Sequence, residues 1–179
     1  MQTISILLEN KPGALLRVTG VLSARGYNIE SLTVAKTLDP QLSRMTIVVD
    51  VEDRIRTQVV KQINKLINVL QAADLTESPA VIREMVLVRV RCGQDSRTTV
   101  LKEAEIFNSR VVDSSVDGFA IEATGDPEKL DEFIEVMRSY GEIDVTRSGV
   151  VAIGLEPKKL RLQAPVPTKA GAKVEETIH

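Results

Sequence analysis

Apolar and polar residues alternate from Thr3 to Glu9, with Ile4, Ile6 and Leu8 together on one side. That period predicts a strand buried on one face. From Gly13 to Arg25 the spacing changes: Leu15, Val18, Val21 and Leu22 fall on one helical face, and Gly26 follows as a stop. Ile29 to Thr37 is rich in β-branched residues and predicts a strand. A turn at Leu38-Asp39-Pro40-Gln41 leads into a second alternation, Met45, Ile47, Val49 and Val51. Ile55, Val59, Ile63 and Leu66 mark a helix, and Val69 to Thr76 a strand. The order is β-α-β-β-α-β.

After a short linker, Glu77-Ser78-Pro79-Ala80, the pattern repeats. Val86, Val88, Val90 and Cys92 alternate. Asp95 is placed to cap a helix bearing Val100, Leu101, Ala104 and Phe107. Arg110–Ser115 and Phe119–Thr124 read as strands joined around Asp117-Gly118. Asp126-Pro127-Glu128 combines an N-cap, an N1 proline and an acidic first turn before Leu130, Phe133, Ile134 and Met137. Glu142 to Val151 reads as one final strand.

Two β-α-β-β-α-β units imply an α+β chain of two tandem ferredoxin-like domains, 1–77 and 81–155. Units this small bury only about 60% of their unfolded surface. The outer face of each sheet also carries apolar residues, so association is expected, domain on domain or chain on chain. Residues 156–179 lose the periodicity and are rich in Pro, Ala and Lys, which predicts a disordered tail.

Composition narrows the function classes. The 179 residues carry 23 Lys+Arg and 25 Asp+Glu, a net charge of −2, so no polyanion-binding excess exists. The only histidine is His179 and the only cysteine is Cys92. A Ser/His/Asp or Cys/His catalytic site and a Cys/His zinc site are therefore excluded from the folded parts. A carboxylate-only magnesium site or a lysine Schiff base stays open. No apolar run is long enough for a membrane span, no signal peptide is visible, and a single cysteine suits a reducing, cytoplasmic compartment.

The stretch with most chemistry is Glu9-Asn10-Lys11-Pro12-Gly13-Ala14-Leu15, between the first strand and the first helix. Gly13 permits a tight turn and exposes amides at a helix N-terminus, which suit a carboxylate. Asn10 offers an acceptor and a donor that read an ammonium group or a backbone. One loop can thus hold both ends of an amino-acid zwitterion; the same residues can equally just shape a loop. Arg83, Arg89, Arg91 and Arg97 form a local basic cluster, read as a solvated or partner-facing strand rather than an RNA surface, because no aromatics stand beside the arginines for base stacking. Cys92 reads as a small buried hydrophobe, and Lys158-Lys159-Leu160-Arg161 as a basic run available to a partner.

The Asn10 loop, with Arg25-Gly26-Tyr27-Asn28-Ile29-Glu30-Ser31-Leu32, resembles the signature of ACT domains, which sense amino acids. The longer run through Thr33-Val34-Ala35 and Leu42-Ser43-Arg44-Met45-Thr46 is similar to the small, regulatory subunit family of acetolactate synthase (acetohydroxyacid synthase). Arg83-Glu84-Met85-Val86-Leu87-Val88, Glu105-Ile106-Phe107 and Thr146-Arg147-Ser148-Gly149-Val150-Val151-Ala152 extend the likeness over residues 1–155. The resemblance implies an ACT domain followed by an ACT-like C-terminal domain, and a non-catalytic chain without cofactor. Thiamine diphosphate, FAD and Mg are expected on the large subunit, which this chain activates. It further implies a homodimer joined through the ACT domains, with feedback inhibition by valine or a related branched-chain amino acid. The family's valine contacts fall on Asn10, Gly13, Ala14 and Leu15 of one chain and Asn28 and Ile29 of the other. Neither nucleic acid nor membrane is expected as a partner. A free-standing tandem-ACT sensor acting on another target is the rival reading.

Overall fold

The computed structural model describes residues 1–155. The expected tail and the basic run Lys158 to Arg161 lie outside the described residues. Two antiparallel sheets are formed, each with two longer helices against one face. The first contains β1 (Gln2–Glu9), β2 (Asn28–Lys36), β3 (Leu42–Asp50) and β4 (Val69–Asp74), in the order β2-β3-β1-β4. Helices α1 (Ala14–Ser23) and α2 (Asp53–Ile63) supply Ala14, Val18, Leu22, Val59 and Ile63 to its core. They meet Ile4, Ile6, Leu8, Met45, Ile47 and Val49, the residues that the alternation had placed on one face. Each fully buried Ile or Leu contributes roughly 1.5–3 kcal/mol relative to exposure.

The second unit repeats this plan. Strands β5 (Ala80–Arg91), β6 (Arg110–Ser115), β7 (Gly118–Gly125) and β8 (Glu142–Arg147) run in the order β6-β7-β5-β8. Helices α3 (Arg97–Ile106) and α4 (Pro127–Arg138) pack Val100, Ala104, Leu130, Phe133 and Met137 onto Val86, Val88, Val90, Phe119 and Ile121. Cys92 is a free, buried thiol within this core. The chain is thus a pair of βαββαβ units with ACT-like architecture.

Three local expectations are corrected. The final strand is not continuous from Glu142 to Val151. It breaks at Ser148–Val150, where Gly149 adopts a left-handed φ of 82°, and resumes as β9 (Val151–Gly154). β9 pairs with Ala80–Arg83, so β5 begins inside the expected linker and extends as a two-stranded ribbon beyond the sheet. Asp95 does not cap a helix: it sits in a short 3-10 turn, Gln94–Ser96, ahead of α3. The four arginines do not form one patch: Arg89 and Arg91 stand together on the exposed face of β5, while the other two are drawn elsewhere. Arg83 pairs with Asp126, Arg91 with Glu142, and Arg97 lies 4.3 Å above the buried Phe119 ring. That contact supplies the aromatic–arginine neighbour absent from the sequence reading, across helix and strand, with the ring enclosed.

The expected cover over an outer sheet face is domain on domain. Thr3, Ser5, Leu7, Thr46 and Val48 point away from α1 and α2, yet are buried. The β5–β9 ribbon reaches this side, where Val150 and Ala152 are also buried and Gly154 lies against Leu75. The outer face of the second sheet, with Leu87, Arg89 and Arg91, stays exposed.

Candidate functional site

The loop from Glu9 to Gly13 is tied down on both flanks. On one side the Glu9 N–H donates to the Asn68 carbonyl at 2.8 Å, and Asn68 Nδ2 donates to Glu9 Oε2 at 2.7 Å. On the other, the Asn10 N–H donates to the Gln41 carbonyl at 2.7 Å and Asn10 Nδ2 to the Pro40 carbonyl at 2.9 Å. Lys11 Nζ lies 3.0 Å from Glu9 Oε1. The Asn68 hydrogen bond and then the Lys11 ammonium hold the Glu9 carboxyl below its usual range. The turn between β2 and β3 therefore fixes Asn10, while the turn before β4 fixes Glu9.

Gly13 is the N-cap of α1, with φ 81° and ψ −10°. A left-handed residue there reverses the chain within the loop, a conformation that glycine adopts at little cost. The space where its Cβ would stand is open, with nothing within 4 Å. The Ala14 N–H is bonded to the Lys11 carbonyl and the Arg17 N–H to the Gly13 carbonyl, whereas the Leu15 and Leu16 amides between them have no intrahelical acceptor. No acidic residue lies in that turn, so the positive end of the helix dipole is not neutralised locally. Since Asn10 spends its Nδ2 on Pro40, its Oδ1 is left as an acceptor. Leu15 is 40% exposed beside these groups, and Ala14 is buried beneath them. One short segment thus presents donors for a carboxylate, an acceptor for an ammonium, and an apolar contact.

Asn28 and Ile29 are not brought to this segment within one chain. Asn28 pairs with Asp50 at one end of β3, whereas Lys36 and Leu8 both pair with Ser43 at the other. At about 3.4 Å per residue, Ser43 to Asp50 spans roughly 24 Å. The Asn28 side chain instead hydrogen-bonds its neighbour Glu30. β2 is an edge strand, paired on one side by β3 alone.

Sequence reasoning missed Glu9, Asn68 and the Pro40–Gln41 carbonyls as the frame of the loop; the two asparagines in polar turns were the only local signal. It also missed Ser31 and Thr33, whose hydroxyls contact Val150. Among the described residues no cluster of His, Cys, Asp or Glu is arranged to hold a metal ion, and no helix is long and apolar enough to cross a membrane.

Residues 4–71 match the family described as AHAS small subunit-like ACT domain, and residues 83–156 match the family described as small subunit of acetolactate synthase. The acetolactate synthase small subunit of Mycolicibacterium smegmatis is 44% identical over 156 residues, 87% of this chain and 92% of the relative. The chain belongs to the acetolactate synthase small-subunit family. The isozyme 3 small subunit of Salmonella typhimurium is 42% identical over 159 residues, covering 88% of this chain and 98% of the relative. In three dimensions the chain is similar to the crystal structure of the acetolactate synthase small subunit from Thermotoga maritima, with a TM-score of 0.75 at 34% identity. That match covers 86% of this chain and 96% of the other. Both units of the repeat lie within these matches.

Proposed function

We propose that this chain is a non-catalytic regulatory subunit that activates the large subunit of acetolactate synthase in the cytoplasm and confers feedback inhibition by valine. The thiamine diphosphate, FAD and Mg chemistry belongs to the large subunit in this reading. Valine binds between two copies of the chain: Asn10, Gly13, Ala14 and Leu15 come from one, and Asn28 and Ile29 from the second.

The observation that carries the reading is the separation of the Asn10 loop from Asn28 and Ile29 along an edge strand. An antiparallel pair of β2 strands, related by a two-fold axis, brings the start of one β2 beside the end of the other. The start carries Asn28 and Ile29, and the end lies at the Asn10 loop. The nine-residue β2 edge with unpaired backbone groups is a template for such pairing. The first-turn amides of α1 then take the valine carboxylate, Asn10 Oδ1 takes the ammonium, and Leu15 and Ile29 contact the isopropyl group. Inhibition follows if valine binds one state of the assembled enzyme better than another.

The test is reconstitution of purified chain with a thiamine-dependent large subunit, assaying acetolactate. The expected result is higher activity with the chain than without it, and inhibition by added valine only in its presence. A chain that binds valine yet neither associates with the large subunit nor changes its activity contradicts the reading in favour of a free-standing amino-acid sensor.

A further inference from the structure

The segment Arg147-Ser148-Gly149-Val150, which interrupts the last strand, is built as an interdomain contact. Its root is fixed by charge: the Arg147 guanidinium donates to Glu84 through Nε at 3.1 Å and Nη2 at 2.6 Å, and to Asp131 through Nη1 at 2.5 Å. Ser148 is held on β5 in two directions. Its N–H donates to the Met85 carbonyl at 2.9 Å, and its Oγ accepts from the Met85 N–H at 3.1 Å.

The tip reaches the first domain. Gly149, at φ 82°, passes so close to β2 that an added Cβ would lie 2.9 Å from Thr33 Cγ2 and 3.0 Å from Ser31 Oγ. Beyond it, the Val150 N–H donates to Ser31 Oγ at 2.8 Å, and Thr33 Oγ1 donates to the Val150 carbonyl at 2.7 Å. Both backbone groups of one residue in the second domain are thus satisfied by two hydroxyls on the edge strand of the first.

The position of these hydroxyls matters. The β2–β3 register shifts between Ile29 and Ser31, a bulge that leaves Glu30 out of the pairing. Bulges bend a strand and re-aim neighbouring side chains. Ser31 is the first residue after the bulge, and Asn28 and Ile29 stand immediately before it. We propose that Ser31, Thr33 and Gly149 are positioning residues: by clasping β2 to the rigid Arg147–Val150 segment, they fix the bulge that aims Asn28 and Ile29 and so set effector affinity without touching the effector. This rests on the valine site assigned above. A strand that samples misdirected arrangements binds more weakly in proportion to the fraction that is competent.

The experiment is calorimetric titration of the full chain with valine, at a temperature where every variant is folded, using Ser31→Ala, Thr33→Val, Thr33→Ser and Gly149→Ala. Loss of one hydroxyl contact in Ser31→Ala or Thr33→Val is expected to weaken valine about three- to tenfold. Thr33→Ser keeps the donor and should stay near the wild type. Gly149→Ala, strained at its φ and crowded against Thr33, should weaken valine at least as much as Thr33→Val. If Ser31→Ala and Thr33→Val lower the melting temperature but bind valine as the wild type does, the clasp only holds domains together and the inference is wrong. If the wild type binds no valine, the site assignment fails instead. Hydrogen exchange across residues 28–33 then tests the clasp by itself: Thr33→Val should accelerate it and Thr33→Ser should not, and equal exchange in both overturns the inference.

Discussion

Asn10 and Asn28 stand at opposite ends of one sheet, Asn10 in the loop after β1 beside the Pro40 turn and Asn28 opposite Asp50. No rotamer change closes a gap of roughly 24 Å, since even a long side chain reaches only a fraction of it. A ligand that touches both asparagines must therefore lie between two chains. The free edge of β2 supplies the geometry for that.

Feedback and activation should separate by mutation. In the proposed site, Asn28→Ala would remove one polar contact to a charged ligand, worth about 1–3 kcal/mol, and so should weaken valine about 5- to 150-fold. Gly13→Asp puts a carboxylate into the open space above the α1 amides, where the ligand carboxylate would sit, and should have the larger effect. Both variants should still activate the large subunit. The check is acetolactate formation by the reconstituted complex against a valine series. Wild-type inhibition curves for both would show that the site is elsewhere.

Glu84 is buried at 5% exposure and carries two bonds from Arg147, whose own side chain is 37% exposed. Burial opposes the charged form of Arg147, but the Glu84 hydrogen bond outweighs it and raises its pKa above the ordinary value. Glu84→Ala leaves Arg147 to Asp131 and solvent. After discounting for that exposure, the loss should be about 1–3 kcal/mol of stability in urea unfolding. An unchanged unfolding midpoint would mean that the pair contributes nothing net.

The Glu9 carboxyl is held below its ordinary value of 4.5, first by Asn68 and then by Lys11. A depressed carboxyl stabilises the fold while ionised. Its contribution is therefore complete above the ordinary value and is lost as pH falls through the lowered one. Glu9→Gln should lose stability relative to the wild type by a constant amount at neutral pH. That difference should shrink as pH drops below 4.5. Thermal unfolding of both proteins between pH 7 and pH 3 measures it, and a difference that grows on acidification would contradict the assignment.

Most of the fold was legible because alternation and helical spacing coincide with the buried faces. Ile4, Ile6, Leu8, Met45, Ile47 and Val49 all entered the core as spaced. The last strand was misread for the same reason. Val150, Val151 and Ala152 continue an apolar pattern, and a single glycine at 149 was the only mark of the break. Asp95 misled because a cap-forming residue before a helix does not specify whether the first turn is 3-10 or α. At the candidate site, the loop residues were legible from Asn10 and Gly13. The Pro40–Gln41 anchor was not, because it joins segments 30 positions apart whose proximity only β3 pairing creates. Ser31 and Thr33 look like ordinary β-formers, and nothing local announces the domain that they hold.

The central claim is that each valine site is shared by two chains, and a mixing measurement tests it most directly. Gly13→Asp damages only the loop half of a site, and Asn28→Ala only the strand half. Homodimers of either variant contain two damaged sites. A mixed dimer contains one site damaged twice and one assembled from an intact loop and an intact Asn28. After unfolding and refolding the two variants together in equal amounts, about half the dimers are mixed, so about a quarter of all sites are restored. Calorimetric titration with valine should then show wild-type affinity at roughly a quarter of the wild-type stoichiometry, with neither variant alone showing it. A mixture that binds no better than its components would contradict a site built between chains.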